Sequence, residues 1–118
     1  MSQPTWKGDP HWDISRMDEW KANDFPAGAV IPEAGNSRFY RTGGWRSERP
    51  VRDPKVCTEC LLCWILCPDS SIRAENEKLA DDTFDYDHCK GCGVCANECP
   101  VDAITMVPEG CELTEGGK

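Results

Sequence analysis

Eight of the nine cysteines fall into two runs of one spacing: Cys57, Cys60, Cys63 and Cys67 followed by Pro68, and Cys89, Cys92, Cys95 and Cys99 followed by Pro100. Each run reads C-x2-C-x2-C-x3-C-P. Iron-sulfur iron requires thiolate ligands, and two-residue gaps let one tight loop present three sulfurs to three corners of a cubane, with the fourth supplied from elsewhere. Such a centre moves single electrons. Zinc is the competing metal, because paired C-x2-C units also build four-cysteine sites, but two runs of this regularity favour iron and sulfide. Disulfides fit poorly with an odd cysteine total, the tight spacing and a start (MSQPTWKGDPHW) unlike a secretory signal.

No Ser/His/Asp constellation, P-loop or dinucleotide glycine motif is present, so no catalytic residue is assigned. His11 and His88 show no partner in the sequence, and His88 reads as a neighbour of the ligand Cys89 or a solvent residue. Cys111 stands twelve residues after the last run and reads as a free thiol without a role.

Stepping the sequence by 32 residues lays Cys57 to Pro68 over Cys89 to Pro100 and Ile72 over Ile104, so the fold must hold two similar units. Each cysteine loop is expected to run into one helical turn, Trp64 to Cys67 and Ala96 to Cys99, stopped by the proline. Short strands follow over Ser71 to Glu75 and Ala103 to Val107, with Phe84 to Tyr86 as another strand across a turn region at Asn76 to Asp82. The second loop has Gly91 and Gly93 where the first has Glu59 and Leu61. Leu61, Leu62, Trp64, Ile65 and Leu66 are expected to wrap Cys63 in apolar bulk, and a drier shell with fewer backbone donors would give the first centre the lower potential.

Residues 1–50 contain Pro4, Pro10, Pro26, Pro32 and Pro50 and no sustained helical or strand period. They also contain Trp6, Trp12, Trp20, Trp45, Phe25, Phe39 and Tyr40, an aromatic content that disordered linkers lack. The stretch reads as an extended arm that lays aromatic anchors on a partner surface, the alternative being that it folds back on its own core. Ser15 to Ala22 is expected to form one or two helical turns with Ser15 as the cap. The expected organisation is an arm over 1–50, a two-cluster domain over 51–108 and a flexible tail over 109–118.

The formal charge of −8 is concentrated: residues 1–56 are net +1 and residues 57–118 net −9. A nucleic-acid partner is disfavoured by that sign; the acidic half suits docking to a basic patch, the alternative being that it only keeps a small domain in solution. The longest apolar run, Leu61 to Cys67, is far shorter than a membrane span. The expectation is a cytoplasmic protein without a membrane partner, whose thiols stay reduced for metal binding.

The cysteine runs resemble those of bacterial two-cluster ferredoxins, in which the fourth cysteine of each run ligates the cluster of the other. The resemblance implies an α+β ferredoxin-type fold with a pseudo-twofold internal repeat. It assigns Cys57, Cys60, Cys63 and Cys99 to one 4Fe-4S cluster, and Cys89, Cys92, Cys95 and Cys67 to the other. Thr42-Gly43-Gly44-Trp45-Arg46, then Arg49-Pro50-Val51, then the first cysteine run narrow the likeness. Together they resemble the delta subunits of four-subunit 2-oxoacid:ferredoxin oxidoreductases, pyruvate oxidoreductases above all, over about residues 40–107. The family implies alpha, beta and gamma subunits as partners, with thiamine diphosphate and coenzyme A bound there, and an external ferredoxin as electron acceptor. The basic stretch Arg41 to Lys55 is open to either the ferredoxin or a partner subunit. The alternatives are a free soluble two-cluster ferredoxin, to which a long aromatic arm would be of no use, and a zinc-stapled interaction module.

Overall fold

Asp53 and Asp85 each stand four residues before the first cysteine of a run, and each turns a strand into a cysteine loop in the same way. The Asp53 carbonyl accepts from the Cys57 N–H at 3.1 Å and the Asp85 carbonyl from the Cys89 N–H at 2.9 Å. Their carboxylates accept from the N–H two residues on, Lys55 at 2.9 Å and Asp87 at 3.1 Å. Their own N–H groups donate to the carbonyls of Ala103 and Ser71, both at 2.7 Å. Side-chain acceptance two residues ahead is the local bond by which Asp favours turns.

A computed structural model describes residues 13–31 and 33–110 of the chain, in two compact units that divide after Arg41. The second unit holds β1 (Glu48–Arg52), α1 (Leu62–Leu66), β2 (Ile72–Glu75), β3 (Lys78–Phe84), α2 (Val94–Asn97) and β4 (Ile104–Pro108). β1 pairs antiparallel with β4, Arg52 opposite Ile104 and Glu48 opposite Pro108. β2 pairs antiparallel with β3 around a two-residue turn at Asn76-Glu77, with an irregularity between Ile72 and Ala74. Each two-stranded sheet therefore joins one strand before a cysteine loop to the strand that follows the other loop. α1 packs on α2 and on β2, and α2 packs on β4. The core between them is Cys63, Ile72, Leu79, Phe84, Cys95 and Ile104.

Several sequence expectations shift. The helical turns start two residues early and end before Cys67 and Cys99. The strand expected at Phe84 to Tyr86 coincides with β3 only at Phe84, where β3 ends, and β3 uses most of the expected turn region as strand. β1 was not expected, because Pro50 breaks a sequence-level strand pattern; as an edge residue, buried and paired opposite Met106, it is tolerated there. Residues 42–50 thus pack with the cysteine domain instead of belonging to the arm expected over 1–50.

The first unit is a series of short 3-10 turns, including Ile14–Glu19, Ala22–Asp24, Ala27–Ala29 and Asn36–Phe39. Asp13, not Ser15, caps the first of them by accepting from the Ser15 N–H. Ile14 is buried, and Trp20 meets Phe25 edge-on at 5.2 Å. Trp6, His11, Trp12, Pro32 and Cys111 lie outside the described residues. Among the described residues no helix is long and apolar enough to cross a membrane.

Candidate metal centre

The eight cysteines line two cavities, four to each. One is lined by Cys57, Cys60, Cys63 and Cys99 with Leu79 and Ile104, and encloses an empty volume of about 310 Å³. The other is lined by Cys89, Cys92, Cys95 and Cys67 with Ile72 and Phe84, and encloses about 360 Å³. In each, three thiols come from one loop and the fourth from within two residues after the other unit's helix. The Cys63 and Cys95 sulfurs sit in the core, whereas Cys60 and Cys92 are exposed. Four thiols around a partly apolar hollow is a donor set that fits a 4Fe-4S cluster.

Backbone groups point at the fourth thiol of each run. The Ser71 N–H donates to Cys67 Sγ at 3.3 Å and the Ala103 N–H to Cys99 Sγ at 3.2 Å. Those bonds are made possible by Ser70 (φ 50°) and Asp102 (φ 53°), both left-handed, which swing the next N–H back toward the cysteine. Burial pushes the Cys63 and Cys89 thiols up, and pushes the Cys95 thiol up to about 12. Loading a metal on such thiols must therefore release protons.

The glycine difference between the loops does not change the backbone. Gly91 and Gly93 have φ of 68° and 80°, and Glu59 and Leu61 have 57° and 62°. The first loop thus presents its backbone as the second does, against the expectation of fewer donors. Nor do its apolar side chains form a shell around Cys63: Leu61 packs on the core, while Leu62, Trp64, Ile65 and Leu66 are exposed. The apolar run reads as burial in sequence, but a five-residue helix can turn only one face inward, and Cys63 occupies it.

The Thr42 to Arg46 segment proves to be a clasp on the second loop. Thr42 Oγ1 donates to the His88 carbonyl at 3.0 Å and the Gly43 N–H to the Asp87 carbonyl at 2.8 Å. A Cβ on Gly43 would run into the carbonyl oxygen of Tyr86, so only glycine fits. Arg46, almost wholly buried, donates to the carbonyls of Tyr86 and of Cys89, the latter at 3.1 Å, and forks onto Glu109 at 2.7 and 3.1 Å. The Arg46 hydrogen bond is the main cause that holds the Glu109 carboxyl below the usual carboxylate range, against a smaller opposing effect of desolvation. Lys90 lies over the Trp45 ring at 5.3 Å and pairs with Asp69 at 3.1 Å. Arg52 pairs with Glu59 at 3.1 Å, and Arg49 stacks on Tyr86 at 5.6 Å. Three of the five cations of the basic stretch are thereby spent inside the domain, which leaves exposed Arg41 and Lys55. His88, without a partner in the sequence reading, meets Asp85 at 2.9 Å.

Residues 51–106 match the 4Fe-4S dicluster domain model. The chain is 45% identical over 101 residues to the pyruvate synthase subunit PorD of Thermotoga maritima, covering 86% of this chain and 98% of that one. The chain belongs to the PorD family. It carries a dicluster domain for two 4Fe-4S clusters. The PorD of Methanocaldococcus jannaschii is 47% identical over 81 residues, 69% of this chain and 92% of that protein. The ketoisovalerate oxidoreductase subunit VorD of Pyrococcus furiosus is 44% identical over 82 residues, 66% of this chain and 76% of that protein. The relatives are thus named as subunits of multi-subunit oxidoreductases.

Proposed function

We propose that this chain is the electron-transfer subunit of a CoA-dependent 2-oxoacid oxidoreductase, pyruvate being the family default, and that it is not itself a catalytic subunit. Its partners are the alpha, beta and gamma subunits, which bind thiamine diphosphate and coenzyme A, and an external ferredoxin that exchanges electrons with it in the cytoplasm. The reading is carried by the near full-length likeness to the T. maritima PorD together with two cavities of four thiols each. When bound, the two 4Fe-4S clusters supply one-electron storage and transfer. Cys57, Cys60, Cys63 and Cys99 would hold one, and Cys89, Cys92, Cys95 and Cys67 the other.

The chain's own residues hold and insulate those thiols. Leu79 and Ile104 on one side, and Ile72 and Phe84 on the other, keep water from the inner faces. The N–H groups of Ser71 and Ala103 fix the Cys67 and Cys99 sulfurs, and Arg46 fixes the carbonyl of Cys89. The matched Asp53 and Asp85 turns, the matched left-handed residues and the crossed strand pairing support a pseudo-twofold repeat of two ferredoxin-type units. The stretch before Thr42, with Val30 and Tyr40 exposed, is the arm that docks on partner subunits. Relatives named for pyruvate and for ketoisovalerate support choice of the oxoacid outside this subunit.

Anaerobic purification from the native host through a tag on this chain tests the reading. The expected preparation contains about eight iron atoms per chain and an equimolar thiamine diphosphate protein. A brown monomer with no thiamine enzyme attached would overturn it in favour of a free ferredoxin.

A further inference from the structure

α1 presents an apolar face to solvent. Leu62, Trp64, Ile65 and Leu66 are 42, 47, 68 and 43% exposed, and Val56, beside the first ligand, is 37% exposed. The stretch from Cys60 to Cys67, CLLCWILC, has no charged or polar residue apart from its thiols. The fold does not demand this. At the same places in the other unit, the residues of CGVCANEC corresponding to Trp64, Ile65 and Leu66 are Ala96, Asn97 and Glu98, the last two exposed and polar. One helix of a matched pair is dressed for water and the other is not. Four apolar side chains exposed on five residues mark an interaction site.

We infer that the α1 face, Val56 with Leu62, Trp64, Ile65 and Leu66, is the surface by which the cysteine domain, besides the arm, docks permanently on an apolar patch of a partner subunit of the same oxidoreductase. The inference rests on the subunit reading above and deepens it. The relatives are named as subunits of pyruvate synthase and ketoisovalerate oxidoreductase, and interfaces between subunits that stay together are apolar, whereas surfaces that exchange partners are more polar. α2 with its C-terminal neighbour, Asn97 and Glu98, has the character of the second kind. The docked face belongs to the helix that carries Cys63, so the site of Cys57, Cys60, Cys63 and Cys99 is the one covered by the enzyme. The site of Cys89, Cys92, Cys95 and Cys67 is left toward the exchanging carrier.

The test uses the full-length tagged chain in its native host, with iron and thiamine diphosphate measured in the anaerobic eluate. Ile65→Glu places a charge at the most exposed point of the face, where it costs nothing in the free chain and much in a dry interface. The expected result is a chain that retains wild-type iron but carries at least ~10-fold less thiamine diphosphate, the loss of a central interface contact. Glu98→Lys, just after α2, should leave the thiamine diphosphate content unchanged. An Ile65→Glu chain that elutes with the wild-type thiamine diphosphate content overturns the face assignment and leaves the subunit reading standing. A wild-type chain that carries none overturns the subunit reading itself. A wild-type chain that sediments as a dimer and becomes a monomer on Ile65→Glu shows that the face meets a second copy, which also overturns the proposal. Retained iron in the variant separates lost docking from lost folding.

Discussion

The two cysteine loops share one backbone and are secured by different chemistry. In the second loop glycine takes the left-handed positions, and at Gly91 no other residue fits, because a Cβ would meet the Glu48 carbonyl and the Arg46 side chain. In the first loop Glu59 and Leu61 take the same conformation at a cost of about 1–2 kcal/mol each. Glu59 offsets its share by accepting from the Leu79 N–H at 2.7 Å and pairing with Arg52. One loop is thus held from outside by the Thr42 to Arg46 clasp, and the other by a side chain of its own. The lesson is that glycine in such a loop reflects what stands next to it, not what the ligands require.

The comparison can be broken first at Gly91. Gly91→Ala should dislodge the second loop, with about four iron atoms lost per chain and a destabilisation of more than about 3 kcal/mol. The equivalent Glu59→Ala should retain all the iron. Arg46→Met comes next: two carbonyls and Glu109 lose their donor, which should cost about 2–4 kcal/mol. Chelator challenge should then strip the Cys89, Cys92, Cys95 and Cys67 site faster than the other. Glu59→Ala should lower the melting temperature of the loaded chain by leaving the Leu79 N–H unpaired. If it proved neutral, the side-chain hold on the first loop would be wrong. The smallest effect is that of pH at Glu109. Its carboxyl is held low in the folded chain, so the contribution of the Arg46 pair is complete above the ordinary glutamate value and is lost as pH falls through the depressed one. An Arg46→Met background should abolish that part of the acid dependence of the melting temperature.

Much of the site was legible because cysteine spacing encodes a loop directly. The step of 32 residues and the strands around Ile72 and Ile104 follow from local pattern. β1 was not legible, since its partner β4 lies more than 50 residues away and Pro50 argues against a strand within the local window. The Asp53 and Asp85 turns carried a signal, an aspartate four residues before each run, that a comparison started at Cys57 passes over. Arg46, Arg49 and Arg52 read as a basic surface because charge in a sequence does not tell a buried guanidinium from an exposed one. The α1 residues read as core for the same reason in reverse: apolar character does not say whether the surface that buries it belongs to this chain.

The crossed assignment of the ligands is the central claim, and iron counting on two paired variants addresses it most directly. Cys57→Ala/Cys99→Ala removes two ligands from one proposed cluster and should leave about four iron atoms, with the spectrum of the other cluster intact. Cys57→Ala/Cys67→Ala removes one ligand from each and should leave neither cluster fully ligated. The reverse pattern, four iron atoms kept by the second variant and both clusters damaged in the first, would contradict the account.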